Sequence, residues 1–206
     1  MNRTLAAALL LTGASGVAGA TGAQAAGIDL SLSDEAANLL VLFNPYQPYA
    51  DGGSELAVGG FVSEQGDNLL QISLMAQSQR LYAGSLYRLG VGVKAVYGEL
   101  DIPDGIVLDG DEGEKVGALG IGLQAGVLLA ESRNNPVELV GEAFLAPSIT
   151  SFTDAERYLE FAARLQVTVI PQAQAYFGYR SLSFETNDYD SLELDKGYHL
   201  GLKVSF

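Results

Sequence analysis

Long runs in which apolar and polar residues alternate are the feature that most constrains the fold of this chain. Along residues 159–169 every second residue is apolar, and Glu160, Arg164 and Gln166 are among the residues between them. The runs 89–97 and 119–129 repeat the pattern, with glycine at many of the opposing positions. A period of two indicates a β-strand with one apolar face. The chain is therefore predicted to be all-β.

The length of these runs suggests what the strands cross. They extend over about 9–12 residues, the length of a tilted strand that spans a bilayer, whereas strands of soluble sandwiches are nearer to 5–6 residues. A glycine-rich opposing face suits the narrow lumen of a small barrel. A soluble barrel with an apolar interior would show the same period, so the alternation alone leaves both folds open.

The connections between the strands favour the membrane barrel. Pro171-Gln172 and the segment 132–135 are short, whereas 99–115, 146–157 and 185–197 are long and acidic. Short turns that alternate with long loops are typical of outer-membrane barrels, with the turns in the periplasm. We therefore predict a transmembrane antiparallel up-and-down β-barrel.

The strand count depends on residues 27–53. From Glu55 onward the pattern predicts eight strands. The segment GIDLSLSDEAANLLVLFN could add a hairpin about Asp34-Glu35, which gives ten strands and keeps the number even. The alternative is an eight-stranded barrel with this N-terminal segment in the lumen or beside the wall. We prefer ten strands.

The N-terminus predicts export. Arg3 precedes the uncharged run 5–20, and Ala23-Gln24-Ala25 forms a small-residue cleavage site, which together are typical of a secretory signal peptide. The expected organisation is a signal peptide at 1–25 and a single barrel domain at 26–206. The chain has no cysteine, so thiolate chemistry is excluded, and its net charge of -14 disfavours nucleic acid as a partner. We expect it in the outer membrane of a Gram-negative bacterium.

The ending HLGLKVSF resembles the signal by which the outer-membrane assembly machinery recognises its clients. That signal reads polar–x–Gly–x–x–hydrophobic–x–hydrophobic, and His199, Gly201, Val204 and Phe206 match it in order. The expected partners are outer-membrane lipid and, during biogenesis, the barrel-assembly machinery. We expect a monomer.

Four segments resemble the YfaZ family of predicted outer-membrane proteins. They are IDLSLSDEAANLL, VGVKAVYGEL, ELVGEAFLAPSI and YFGYRSLSFE…GYHLGLKVSF. The resemblance covers nearly the whole mature chain and implies a location and a barrel. It implies no reaction and assigns no functional residue.

Placing the apolar face outward puts a set of ionisable side chains inside the barrel. These are Glu55, Lys94, Glu138, Glu142, Glu160, Arg164, Arg180 and Lys203. They could form a salt-bridge network that fills the lumen or a charged pore lining. We favour the filled lumen because the interior of a small barrel is only wide enough for side chains. The expected function is a structural or surface-interaction role, and the alternatives are a narrow channel or a lipid-modifying enzyme.

Other residues that could carry chemistry give weaker signals. His199 is the only histidine and no serine lies in a recognisable nucleophile motif, so we predict no catalysis. Acidic residues in DGDEGE could bind a divalent cation, but their spacing matches no calcium loop, and we predict neither a metal nor a cofactor. These residues are Asp109, Asp111, Glu112 and Glu114. Aromatic residues near the strand ends indicate either interfacial girdles or ordinary strand enrichment; they include Phe144, Tyr158, Tyr176 and Phe184.

Overall fold

A computed structural model describes residues 27–44, 52–82, 85–101, 114–130, 135–187 and 191–206. In these ranges most residues lie in eleven strands: β1 Gly27–Ser33, β2 Ala36–Phe43, β3 Gly52–Ser63, β4 Asn68–Tyr82, β5 Ser85–Leu100, β6 Glu114–Ala130, β7 Val137–Ala146, β8 Ser151–Thr153, β9 Ala155–Ile170, β10 Ala173–Thr186 and β11 Leu192–Ser205. A 3-10 turn at Ser148–Thr150 precedes β8. None of the described segments is a helix long and apolar enough to span a membrane. The signal peptide predicted at 1–25 lies outside the described ranges.

The strands form a closed antiparallel barrel. Neighbours in sequence are neighbours in the sheet, except that β7 pairs with β9 and the three-residue β8 pairs only with β6. β8 follows the path of β7 along β6, because Leu145 pairs with Ile121 and Ser151 pairs with Ala118. β1 pairs with β11 from Gly27 opposite Ser205 to Ser33 opposite His199, which closes the wall. The prediction of an all-β barrel with ten wall strands is confirmed.

The N-terminal hairpin is part of the wall. β1 and β2 pair with each other, and the turn at Asp34-Glu35 is held by the Ala36 N–H, which donates to Ser33 Oγ at 2.9 Å. β2 then pairs along its whole length with β3. The ten-strand prediction was therefore right, and the eight-strand alternative was wrong.

The two ends of the barrel differ. The turn end carries Gly27, Ser205 and the Pro171-Gln172 turn, and the loop end carries the connections after Leu100 and Thr186. All three long acidic segments connect strands at the loop end, as predicted. The strands nevertheless extend further than the sequence suggested: β11 begins at Leu192, inside the segment 185–197 that was predicted as a loop. Leu192 pairs with Phe184 and packs against buried apolar side chains, which explains the longer strand.

The apolar stripes face outward. On β5 the side chains of Leu89 and Val91 are 64% and 60% exposed, whereas Arg88 and Lys94 are 3% and 6% exposed. The polar positions thus line the lumen and the apolar positions form the outer surface. This is the reverse of a soluble barrel with an apolar interior.

Candidate functional site

Two inward-facing glycines leave space for aromatic rings that pack against the inner surface of the wall. The ring of Phe144 covers Gly122 of β6, and the ring of Tyr176 covers Gly201 of β11, so that a Cβ at either glycine would overlap the ring. Interiors packed this closely leave no room for an added methyl group. Glycine on the inner face is therefore a packing requirement at these two positions.

The structure places all eight predicted lumen charges on the inner face. Glu55 lies on β3, Lys94 on β5, Glu138 and Glu142 on β7, Glu160 and Arg164 on β9, Arg180 on β10 and Lys203 on β11. On paired strands, inward positions lie opposite inward positions and outward apolar positions lie opposite outward ones. The lumen of the described barrel is therefore lined by both signs of charge.

Two ion pairs join predicted residues across the lumen. Lys94 Nζ lies 2.5 Å from Glu160 Oε2, and Tyr158 Oη donates a hydrogen bond to the same oxygen. Lys203 Nζ lies 2.6 Å from Glu55 Oε2. In each pair the two strands lie three positions apart in the ten-stranded wall, so each pair links parts of the barrel that are not neighbours. Buried charges are tolerated only when paired in this way.

Other charges pair with residues that the sequence reasoning missed. Arg180 Nη2 lies 2.5 Å from Asp195 Oδ2, and Arg88 Nη2 lies 2.8 Å from Glu138 Oε1. Arg88 is in phase with Lys94 on β5, so the alternation could have identified it. Asp195 was missed because its segment was predicted as a loop.

Arg164 has different surroundings from its neighbours. Its guanidinium lies over the ring of Tyr176, 5.0 Å from the centroid, and its Nε has no hydrogen-bond partner among the described residues. Tyr176 Oη donates to Asp29, a buried carboxylate of β1 that was not predicted. Among the described residues no ion pair joins Arg164 to Glu160, because Glu160 contacts Lys94 instead.

Among the described residues, Glu142 accepts a hydrogen bond from a neutral amide and forms no ion pair. Gln124 Nε2 donates to Glu142 Oε2 at 2.9 Å, and Gln166 Nε2 similarly donates to Glu138 Oε2 at 2.7 Å. These amides extend the polar network between neighbouring strands. Most of these charged and amide side chains lie in the middle of the lumen or nearer the turn end, and we name them the polar layer.

Most of the buried apolar side chains lie in the half of the lumen nearer the loop end. We name this second set the apolar layer: Ala36, Phe61, Leu69, Met75, Val96, Leu100, Val116, Ala118, Phe144, Ala146, Ala155, Tyr158, Leu182, Phe184 and Leu194. Tyr158 and Phe184 are fully buried with ring centroids 4.9 Å apart. The two layers meet where Lys94 Nζ lies 5.0 Å from the centroid of the Phe144 ring. The described part of the lumen is thus lined by two chemically distinct sets of side chains.

The apolar layer corrects the interpretation of several aromatic residues. Interfacial girdles were one of the two interpretations left open for Phe144, Tyr158, Tyr176 and Phe184, and that interpretation is wrong for them because all four face the lumen and are buried. Each is in phase with polar lumen positions on its own strand, as Tyr158 is with Glu160. Tyr82, Tyr87, Tyr97 and Phe152 do face outward.

The residues of the predicted assembly signal lie on both faces of β11. His199 and Gly201 face the lumen, whereas Val204 pairs with Ile28 of β1 and Phe206 is exposed. The ring of His199 packs edge-on against Tyr176 at 5.8 Å, and its Nδ1 has no hydrogen-bond partner among the described residues.

The candidate cation ligands are only partly described. Asp109, Asp111 and Glu112 lie outside the described residues. Glu114 begins β6, pairs in register with Leu100 and is buried on the lumen face. In the described part of the chain, acidic and histidine side chains do not gather in a group of three or more that could hold a metal ion.

Comparison with known proteins gives a family and no closer relative. No curated protein matches the chain, and no solved structure matches it. A family model described as "YfaZ precursor" matches residues 4–206, which is nearly the whole chain. The chain, with its ten-stranded barrel, therefore belongs to the YfaZ family.

Proposed function

We propose that this chain is a small outer-membrane β-barrel protein with a structural or surface-interaction role and a lumen filled by its own side chains. The proposal combines an apolar outer wall, a closed interior and membership of the YfaZ family.

The observation that carries the proposal is the height of the apolar outer wall. On β5 the outward side chains run from Tyr87 through Leu89, Val91 and Val93 to Tyr97, and all are exposed. A strand rises about 3.4 Å per residue and tilts by about 45° in such barrels, so the two tyrosines are separated by about 24 Å along the barrel axis. This matches the apolar band of outer-membrane barrels, which is about 25 Å tall and bounded by aromatic residues.

The proposal also includes an orientation. The turn end faces the periplasm, and the loop end with its acidic connections faces outward, as the usual arrangement of short turns and long loops requires. The word "precursor" in the family description supports a signal peptide at 1–25 that is removed on export. The partners we propose are outer-membrane lipid and the assembly machinery, with the barrel as a monomer.

Cell fractionation with gel analysis tests the proposal. The protein should sediment with outer membranes, and the folded barrel should migrate differently on gels before and after boiling. Recovery in the soluble periplasmic fraction would contradict a membrane location, because more than thirty large apolar side chains would then face water.

The two alternative functions, a narrow channel and an enzyme, have less support than a filled structural barrel. The fully buried rings of Tyr158 and Phe184 lie in the loop-end half of the lumen, which favours a filled lumen over a channel. His199 packs on Tyr176 inside the barrel, and among the described residues its Nδ1 has no hydrogen-bond partner, whereas a catalytic histidine uses a carboxylate there. We therefore propose neither conduction nor catalysis.

A further inference from the structure

At the loop end, the β1–β2 hairpin is shorter than the neighbouring strand β11. β1 ends at Ser33, which pairs with His199, but β11 continues toward the loop end as far as Leu192. The segment Leu192–Tyr198 pairs with β10 on one side. On its other side no strand of the described residues pairs with it, so this edge presents backbone N–H and C=O groups.

A cavity of about 390 Å³ lies beside this edge. One wall is formed by the β3–β4 turn and the end of β5, and the other by the first residues of β11. The lining residues are Gln65, Asp67, Leu100, Asp101, Ser191, Leu192, Glu193 and Leu194. Leu100 and Leu194 belong to the apolar layer, so the bottom of the cavity is apolar. We name the cavity and the adjacent edge the rim notch.

The lining of the cavity carries three acids and no base, and Lys196 on the adjacent edge is paired with Glu193. Asp67 and Asp101 stand on one wall and Glu193 on the other. The carboxylate of Asp67 accepts hydrogen bonds from Ser63 Oγ at 2.6 Å and from the Asp101 N–H at 3.0 Å, and Glu193 contacts Lys196 at the exposed rim. The notch therefore has a negative potential above an apolar floor.

We propose that the rim notch binds an extended, basic peptide segment of a partner protein, which adds as a strand to the edge of β11. An exposed sheet edge gives affinity through main-chain hydrogen bonds, and the flanking pocket gives specificity through alternate side chains. The acidic walls complement lysine or arginine side chains on one face of such a segment. Only the accessibility of the notch at the cell surface rests on the proposed function; binding to the purified protein does not.

Fluorescence anisotropy on the purified full-length barrel in detergent tests the proposal. The probes are a labelled seven-residue peptide in which lysine alternates with threonine, the same peptide with glutamate in place of lysine, and a lysine peptide N-methylated at alternate residues. We expect saturable binding of the first peptide and at least tenfold weaker binding of the other two. N-methylation removes backbone donors without changing charge, so it distinguishes strand addition from general electrostatic attraction.

Variants locate the binding to the rim notch. The double variant Asp101→Asn with Glu193→Gln should weaken binding of the lysine peptide about tenfold. Glu156→Gln, which removes an exposed acid at the start of β9, should leave binding unchanged. Each variant is first checked for the gel shift of the folded barrel. Equal binding of the N-methylated peptide, equal loss in both variants, or no saturable binding would overturn the proposal, and none of these results would alter the fractionation test.

Discussion

Lys94 Nζ and Glu160 Oε2 lie 2.5 Å apart across the lumen, although β6 and β7 separate their strands in the barrel wall. Both side chains are buried, and the pair lies where the polar layer meets the apolar layer. The contact links two strands that are not neighbours in the wall, which makes it the clearest place to test whether the polar layer stabilises the barrel.

Removing one partner of this pair should destabilise the barrel strongly. Lys94→Met leaves the Glu160 carboxylate buried without its cation, and the expected loss is about 3–5 kcal/mol. Lys94→Met combined with Glu160→Gln should lose less than the sum of the single changes, because the two residues share one interaction. Urea unfolding of the purified barrel measures both effects.

The exposed pair Lys196–Glu193 provides the matched control. Lys196→Met removes an ion pair of similar length, 2.6 Å, whose members are both about half exposed. Its unfolding midpoint should stay close to the wild-type value because solvent screens exposed pairs. Equal losses in Lys94→Met and Lys196→Met would contradict a stabilising role for the buried pair.

Arg164 and Glu160 should behave as independent residues. They lie on the same strand and the same face, but Arg164 contacts Tyr176 whereas Glu160 contacts Lys94. The losses from Arg164→Met and Glu160→Gln should therefore add to within about 0.5 kcal/mol in a double-mutant cycle. The cycle of Arg164→Met with Tyr176→Leu should show a measurable coupling, since Tyr176→Leu removes the ring that the guanidinium contacts. A larger coupling for Arg164 with Glu160 would contradict the observed partners.

The direction of each side chain could be predicted from sequence because it depends only on the period of two. Once the apolar face of a strand was placed outward, Lys94, Glu160 and Arg180 had to face the lumen. The same phase places Arg88 and Tyr158 inside as well. The N-terminal hairpin was also predictable, since two apolar runs flank Asp34-Glu35.

The partners of the lumen charges could not be predicted. Glu160 lies two inward positions from Arg164 on its own strand, yet it contacts Lys94, which is more than sixty residues away in sequence. That choice depends on the strand register, the curvature of the wall and the length of each side chain. The division into two layers arises in the same way, because residues from many strands must reach the same height before an apolar cluster forms.

Gly201→Ala should destabilise the barrel because the ring of Tyr176 occupies the space that a methyl group needs. Moving that ring would also disturb its contacts with Arg164 and His199. The expected loss is about 1–3 kcal/mol, as for other overpacked interiors. Gly141→Ala is the control, since nothing lies within 4 Å of a Cβ at that position, and it should be neutral or slightly stabilising. Urea unfolding midpoints of the two variants test this prediction. A similar loss of stability in Gly201→Ala and Gly141→Ala would contradict the packing requirement at Gly201.

Asp67 should make stability fall as the pH rises. Burial raises the pKa of this carboxyl above its ordinary value, although hydrogen bonds from Ser63 and Asp101 act against the shift. The folded barrel therefore holds the proton more tightly than the unfolded chain, and the contribution is lost as the pH rises from about 4 through the folded pKa. Relative to wild type, Asp67→Asn should gain stability across this window, and the gain should be small because the hydrogen bonds from Ser63 and the Asp101 N–H oppose the effect of burial.

The measurement for Asp67 is a series of thermal unfolding midpoints between pH 3.5 and pH 7. The difference between Asp67→Asn and wild type should grow with pH and then become constant. Glu156→Gln, an exposed acid at the same end, serves as the control. A difference for Asp67→Asn that shrinks with rising pH would mean that the hydrogen bonds outweigh burial.

The apolar layer should be what closes the lumen to ions. Wild-type protein in planar bilayers should show no steady open-channel current. The double change Tyr158→Ala with Phe184→Ala removes two fully buried rings that contact each other and should produce discrete openings in protein that keeps its folded gel shift. Phe177→Ala, which removes an outward-facing ring from β10, should leave the current at the wild-type level. Steady currents of equal size in wild type and in the double variant would show that ions bypass the apolar layer, and would favour the narrow channel instead.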